Sequence, residues 1–206
     1  DQLERMAQRG QKIRIALTLT PSHTGVVESG NVVAEIPGTD LADEIVVIGG
    51  HLDSWDLGTG AVDDGAGVAI TMEVLRRIRD SGLTPRRTIR LVLWGAEEVG
   101  LLGGYAYLDK HQATLRKHVI GTESDFGAGK IWKITRSISK DAEPVADKIA
   151  ELVEPLGIAT GSNDARSSGP DLTPMNAMGF PGFRFVQDGS DYFDLHHTPD
   201  DTLDKI

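Results

Sequence analysis

Two stretches of this 206-residue chain, 45–50 (IVVIGG) and 88–94 (TIRLVLW), are apolar almost without interruption over the length of a strand. A strand with one face in water alternates polar and apolar residues, whereas a strand covered on both faces reads as a near-continuous apolar run. Helical patterns lie between and after these runs. The plainest is 65–80, where Val68, Met72, Leu75 and Ile78 recur at spacings of three and four, with Asp63 and Asp64 at the acidic N-terminal end. Further strands are expected over 12–20 (KIRIALTLT, period two), 31–36, 118–122, 130–135 and 182–186. Further helices are expected up to Gly10, near Tyr105, over 143–156 and over 171–178, with the glycine- and serine-rich stretch 157–169 as a long loop. Strands alternating with helices imply an α/β protein, a three-layer α/β/α sandwich with a mostly parallel mixed sheet. The length suits a single domain over 1–206, able to bury roughly 70% of its unfolded surface.

Composition narrows the function. A net charge of −10 argues against nucleic acid or an anionic membrane as partner, and no apolar run reaches the roughly 18 residues of a membrane span. The chain has no cysteine, so disulfides and thiolate zinc sites are excluded, and any metal must be held by His, Asp and Glu. It starts at Asp1 and carries no signal peptide pattern, so its residues leave the compartment open.

The residues able to do chemistry follow a positional rule: each stands at or just beyond the C-terminal end of an expected strand. His51 and Asp53 follow IVVIGG, Glu97 and Glu98 follow TIRLVLWGA, Asp125 follows HVIGTES, and His196 and His197 follow the last strand through a loop. Asp63 and Asp64 close the loop that returns to the 65–80 helix. In open α/β sheets that edge is where ligands bind. Each piece has a plain structural explanation. A lone His after a strand is usually a surface residue, one Asp of the pair caps the helix, and an acidic dipeptide is usually solvated. The spacing His-x-Asp lets Asp53 accept the second ring N–H of a metal-bound histidine. Helix capping accounts for one of Asp63 and Asp64, not both. Adjacent residues in extended chain point oppositely, so one of Glu97 and Glu98 can bind metal while the other faces a water. Bringing Asp63, Glu98 and Asp125 together disfavours full ionisation without a counter-charge. Three carboxylates bring −3 and two divalent ions +4, leaving +1 for one hydroxide to neutralise, which favours a two-metal site over a one-metal site.

The blocks GGHLDSWDLGTGAVDDGAG, LVLWGAEEVGLLGG, ESDFG and YFDLHHTPDDTLDK resemble, in order and spacing from about Asn31 onward, the co-catalytic zinc exopeptidases. Within these they are most similar to the carboxypeptidase Q-like branch. The resemblance implies a zinc exopeptidase-like fold and two zinc ions per chain. Asp63 would bridge them, one ion also taking His51 and Asp125 and the other Glu98 and His197. Glu97 would be the general base acting on a zinc-activated water, and Asp53 the partner of His51. His197 is preferred to His196 because it directly precedes the Thr of HTPDDT. The resemblance further implies a cis Asp63–Asp64 peptide, short peptides or dipeptides as substrate, a secreted or periplasmic location and compatibility with a homodimer. Members of the branch carry upstream sequence and a protease-associated insert that these residues do not contain, so the chain reads as the catalytic part of a longer enzyme.

Which end of a peptide is recognised stays open at this level. Arg166, Arg184 and Asn163 could meet a carboxylate, and Asp188 and Asp191 a free amine. Two rival readings also stand: a non-catalytic metal-binding or interaction module, and a metal-dependent hydrolase of another amide.

Overall fold

The computed structural model describes residues 2–163 and 168–206. Its seven strands are β1 (Val32–Ile36), β2 (Leu41–His51), β3 (Arg87–Trp94), β4 (His118–Glu123), β5 (Ile131–Ser137), β6 (Ala159–Asn163) and β7 (Gly182–Gln187). The helices are α1 (Gln2–Gln8), α2 (Ala66–Asp80), α3 (Leu102–His111), α4 (Glu143–Val153), α5 (Thr173–Asn176) and α6 (Tyr192–Leu195). One mixed sheet runs β1-β3-β2-β4-β7-β5-β6. Pairing is parallel for β2 with β3, β2 with β4, β4 with β7 and β5 with β6, and antiparallel for β1 with β3 and β5 with β7.

The two apolar runs are neighbours near the centre of the sheet, with Ile48 level with Leu91 and His51 level with Trp94. Successive side chains leave opposite faces. Ile48, Leu91 and Leu93 therefore pack with Val68 and Leu75 of α2 on one face. Val47, Val92 and Trp94 pack with Tyr107 of α3 and with Leu172, Met175 and Phe180 on the other. A strand with helices on both sides has no face for water, which is why neither run alternates. A third cluster, Ile134, Phe183 and Ala146 of α4, closes the β5–β7 end.

Three expectations are corrected. The period-two pattern over 12–20 forms no strand: Ile15, Leu17 and Leu19 are 67–74% exposed, and no strand among the described residues pairs with the segment. Alternation supplies an apolar face, but a strand also needs a ladder partner. Conversely, 159–163 within the expected loop is the edge strand β6, paired in parallel with β5. Being exposed along most of its length, it needs no hydrophobic signal and shows none in the sequence. The helix expected over 171–178 is the single turn α5.

Candidate metal centre

The carboxyl ends of β2, β3 and β4 lie side by side, and His51, the Glu97–Glu98 pair and Asp125 follow them in that order of strands. His51, the last residue of β2, is buried. Its Nδ1 lies 2.9 Å from the main-chain oxygen of Asp53. A carbonyl only accepts, so Nδ1 donates there and Nε2 turns into the crevice. Nε2 stands 3.0 Å from Asp63 Oδ1 and 3.7 Å from Asp125 Oδ1. Burial would depress this imidazole, but the facing carboxylates of Asp125 and Asp63 win and push it up to about 12.

Asp53 does its work with different atoms from those expected. Its carboxylate oxygen is 3.8 Å from His51 Nδ1, beyond hydrogen-bond distance, and the ring is held by the carbonyl instead. The carboxylate accepts the N–H groups of Glu97 and Glu98, at 2.9 and 3.1 Å. Asp53 thus ties the end of β2 to the glutamate pair after β3.

Asp63 and Asp64 divide as capping logic requires. Asp64 Oδ1 accepts the Gly67 N–H in the first turn of α2, and Oδ2 accepts the His51 N–H. Glycine is needed on both sides of it: a Cβ on Gly50 would lie 2.5 Å from Asp64 Oδ2, and one on Gly67 would lie 2.3 Å from Asp64 Oδ1 and 1.8 Å from the Ser124 oxygen. Burial pushes the Asp64 carboxyl up to about 9, the Asp125 charge adding to it. Asp63 opens into the crevice instead, across an Asp63–Asp64 peptide that is cis. Its Oδ1 faces His51, while its Oδ2 lies 3.4 Å from His196 Nε2 and 3.5 Å from His197 Nε2. His197 also reaches Glu98, Nε2 to Oε2 at 2.9 Å. Three sets of donor atoms lie within 4.8 Å of one another: His51, Asp63 and Glu98; His51, Asp64 and Asp125; and Asp63, His196 and His197. Glu97 lines the same crevice, of about 390 Å³, and burial pushes its carboxyl up to about 8.

Three further contributors carry no sequence signal strong enough to single them out. Buried Asp201 accepts the Val62 N–H at 2.6 Å and the Asp63 N–H at 3.1 Å, fixing the main chain that presents Asp63. Its place in the run HTPDDT, beside the histidines, was the only available hint. Asp201→Ala leaves two buried amides without partners, at roughly 1–3 kcal/mol each. Urea unfolding should show a loss of that order, and a change below about 0.5 kcal/mol would mean water replaces the carboxylate. Trp55 stacks on His197, ring centroids 4.4 Å apart and 11° from parallel. Under the site, Glu123 Oε2 accepts the Asp171 N–H at 2.9 Å, and burial raises both carboxyls; the Asp171 charge adds to the rise at Glu123, while the Glu123 side chain works against the rise at Asp171.

Fold and crevice together define the class, an α/β/α domain with a cluster of imidazole and carboxylate donors at the carboxyl edge of its sheet. The chain belongs to peptidase family M28, whose model matches residues 31–206. Carboxypeptidase Q of Rattus norvegicus is 39% identical over 203 residues, covering 98% of this chain and 43% of that protein. The chain therefore spans under half the length of the curated relatives it matches. A crystal structure of a peptidase M28 precursor from Shewanella amazonensis is 54% identical with a TM-score of 0.81, over 85% of this chain and 40% of that one. A zinc aminopeptidase from Bacillus subtilis shares the fold at 22% identity, TM-score 0.67, over 85% of this chain and 45% of its own.

Proposed function

We propose that this chain is the catalytic domain of a di-zinc exopeptidase that hydrolyses terminal peptide bonds of short peptides. The observation that carries this reading is Asp63, whose two carboxylate oxygens face two different groups of donors, as a bridging ligand's must. The donor set fits the metal: only imidazole and carboxylate are present, and the buried Glu98 Oε1 and Asp125 Oδ1 have no hydrogen-bond partner of their own. Asp63, His51 and Asp125 would hold one ion, and Asp63, Glu98 and His197 the other, with His197 chosen for its contact to Glu98. Bound there, zinc supplies Lewis-acid polarisation of the scissile carbonyl and a lowered pKa for a water.

The remaining work falls to this chain's own groups. Glu97 Oε takes the proton of the attacking water and returns it to the departing amine nitrogen. Asp53 holds the Glu97 and Glu98 amides, so the base and its neighbouring ligand keep a fixed separation. Asp201 and Asp64 hold the turn that presents Asp63. Among the described residues no helix is long and apolar enough to cross a membrane. The test is metal analysis paired with a dipeptide assay on the zinc-loaded chain. About two zincs with turnover is the expected result; two zincs with no hydrolysis of any dipeptide favours a binding module instead.

A further inference from the structure

Of the residues that could meet a peptide end, Arg166 lies outside the described residues. Asn163 is bound to Ile138 and Glu143, Asp188 to Ser190, and Arg184 lies over the Phe126 ring. A different polar residue, Asn31, stands outside the crevice lining and meets instead the chain that carries Glu97 and Glu98.

That chain is the connection between β3 and α3, which leaves β3 at Gly95 and enters α3 at Leu102. Asn31 directly precedes β1, whose ladder sets Val32 level with Leu93, so Asn31 is delivered beside the end of β3. Its Oδ1 accepts the Gly95 N–H at 3.0 Å, and its Nδ2 donates to the Gly103 oxygen at 2.9 Å. One amide group therefore joins both ends of the loop, and the donor and acceptor it meets allow only that orientation of the side chain. Gly103 is needed for the approach, since a Cβ there would lie 2.3 Å from Asn31 Oδ1.

Inside this frame the backbone is held away from its preferred conformation. Ala96 and Leu101, one on each side of the glutamate pair, both have a left-handed φ of 58°. Residues with a Cβ disfavour that region and keep it where the surroundings fix it. The loop closes on itself, the Gly100 and Leu101 N–H groups donating to the Glu97 oxygen and the Leu102 N–H to the Ala96 oxygen. Asp53 then ties it to β2 through the Glu97 and Glu98 amides, and Asn31 ties it to β1 through its two ends. The points that Asn31 joins lie two residues before Glu97 and six after it, so a shift at either end is passed to that carboxylate.

We propose that Asn31 is a positioning residue for the hydrolytic step: by bridging Gly95 and Gly103 it fixes the loop that aims Glu97 at the attacking water. The inference rests on the exopeptidase reading, in which Glu97 is the base. Displacing a reacting group by about 1 Å can cost about 10²-fold in rate, so a side chain outside the crevice can have a kinetic effect beyond its share of stability.

The test uses the zinc-loaded full chain. Asn31→Ala should lower kcat by about 10–100-fold, with KM within about 2-fold and about two zincs retained. Hydrogen exchange at the Glu97 and Glu98 amides should be faster by about 10-fold, because the loop opens more often. Gly103→Ala, whose added methyl displaces the Asn31 amide, should give the same pattern and serves if Asn31→Ala folds poorly. Ile134→Ala, in the core at the β5–β7 end of the sheet, should lower Tm without either change. Beside Glu97→Gln, the loss from Asn31→Ala should shrink to within about 3-fold, since residues acting through one group are not additive. The proposal is overturned if kcat stays within about 2-fold of wild type, if the loss persists in full beside Glu97→Gln, or if amide exchange is unchanged. A wild type that hydrolyses no dipeptide overturns the exopeptidase reading by itself, and exchange at the two amides still shows whether Asn31 holds the loop.

Discussion

Replacing Glu97 with Gln is expected to lower kcat by about 10²–10⁴-fold while leaving zinc content and fold unchanged. The amide keeps the size and shape of the carboxyl but cannot accept the water's proton. Its main-chain N–H stays bound to Asp53, so the neighbouring Glu98 keeps its place. KM should change little, because the proton transfer occurs on the way to the transition state rather than in binding. The check is steady-state kinetics on a dipeptide alongside metal analysis. Near-wild-type rates would remove Glu97 from the role, and a parallel loss of zinc would mean that it is a ligand instead.

Chelation should have the second large effect. With each of the two sites at free zinc about a hundredfold above its Kd, binding adds about 2.7 kcal/mol per ion, and each kcal/mol moves Tm by about 2–4 °C in a chain of this size, so stripping both ions should lower Tm by roughly 10–20 °C near pH 7. The sign of the pH dependence follows from the metal-free carboxyls. Glu97 and Asp64 are raised to about 8 and about 9, chiefly by burial. A raised carboxyl pKa means the folded chain binds the proton more tightly than the unfolded one. The stability this contributes is complete below the ordinary carboxyl range and is lost as pH climbs through 8 and 9. His51, raised to about 12, contributes fully below its ordinary value and loses that contribution progressively as pH rises from there. The metal-free chain should therefore weaken from pH 5 to pH 9. Zinc binding is favoured over the same interval as its ligands deprotonate, so the Tm gap between loaded and stripped protein widens with pH. A Tm unchanged by excess chelator, with metal loss verified, would count against the charge-clustering account.

The central sheet was legible because burial on both faces leaves a mark in the residues themselves. IVVIGG and TIRLVLW could hardly be anything but covered strands, and the acids and histidines placed just beyond them fall at the shared carboxyl edge that parallel pairing creates. The division of Asp63 from Asp64 was legible for a similar reason, since one helix start needs only one cap. What failed depended on partners rather than on composition. The segment 12–20 has the right alternation but no strand among the described residues to pair with, and β6 has a neighbour but no apolar signal. In the site, a side chain's neighbours were easier to foresee than its atoms. Asp53 was expected beside His51 and is there, yet its carbonyl holds the ring while its carboxylate holds the glutamate amides. Asp201 escaped notice because its partners, the amides of Val62 and Asp63, lie 139 and 138 residues away in sequence. His197 was preferred to His196 for its place directly before the Thr of HTPDDT; its 2.9 Å approach to Glu98 is a contact that spacing does not reveal.

The measurement that bears most directly on the two-metal centre is a crystal structure of the zinc-loaded chain with anomalous scattering recorded at the zinc edge. The account predicts two peaks joined by the carboxylate of Asp63, one also bound by His51 Nε2 and Asp125, the other by Glu98 and His197, with Glu97 facing the space between them and binding neither. A single peak, or two peaks with Glu97 inside a coordination sphere, would contradict it.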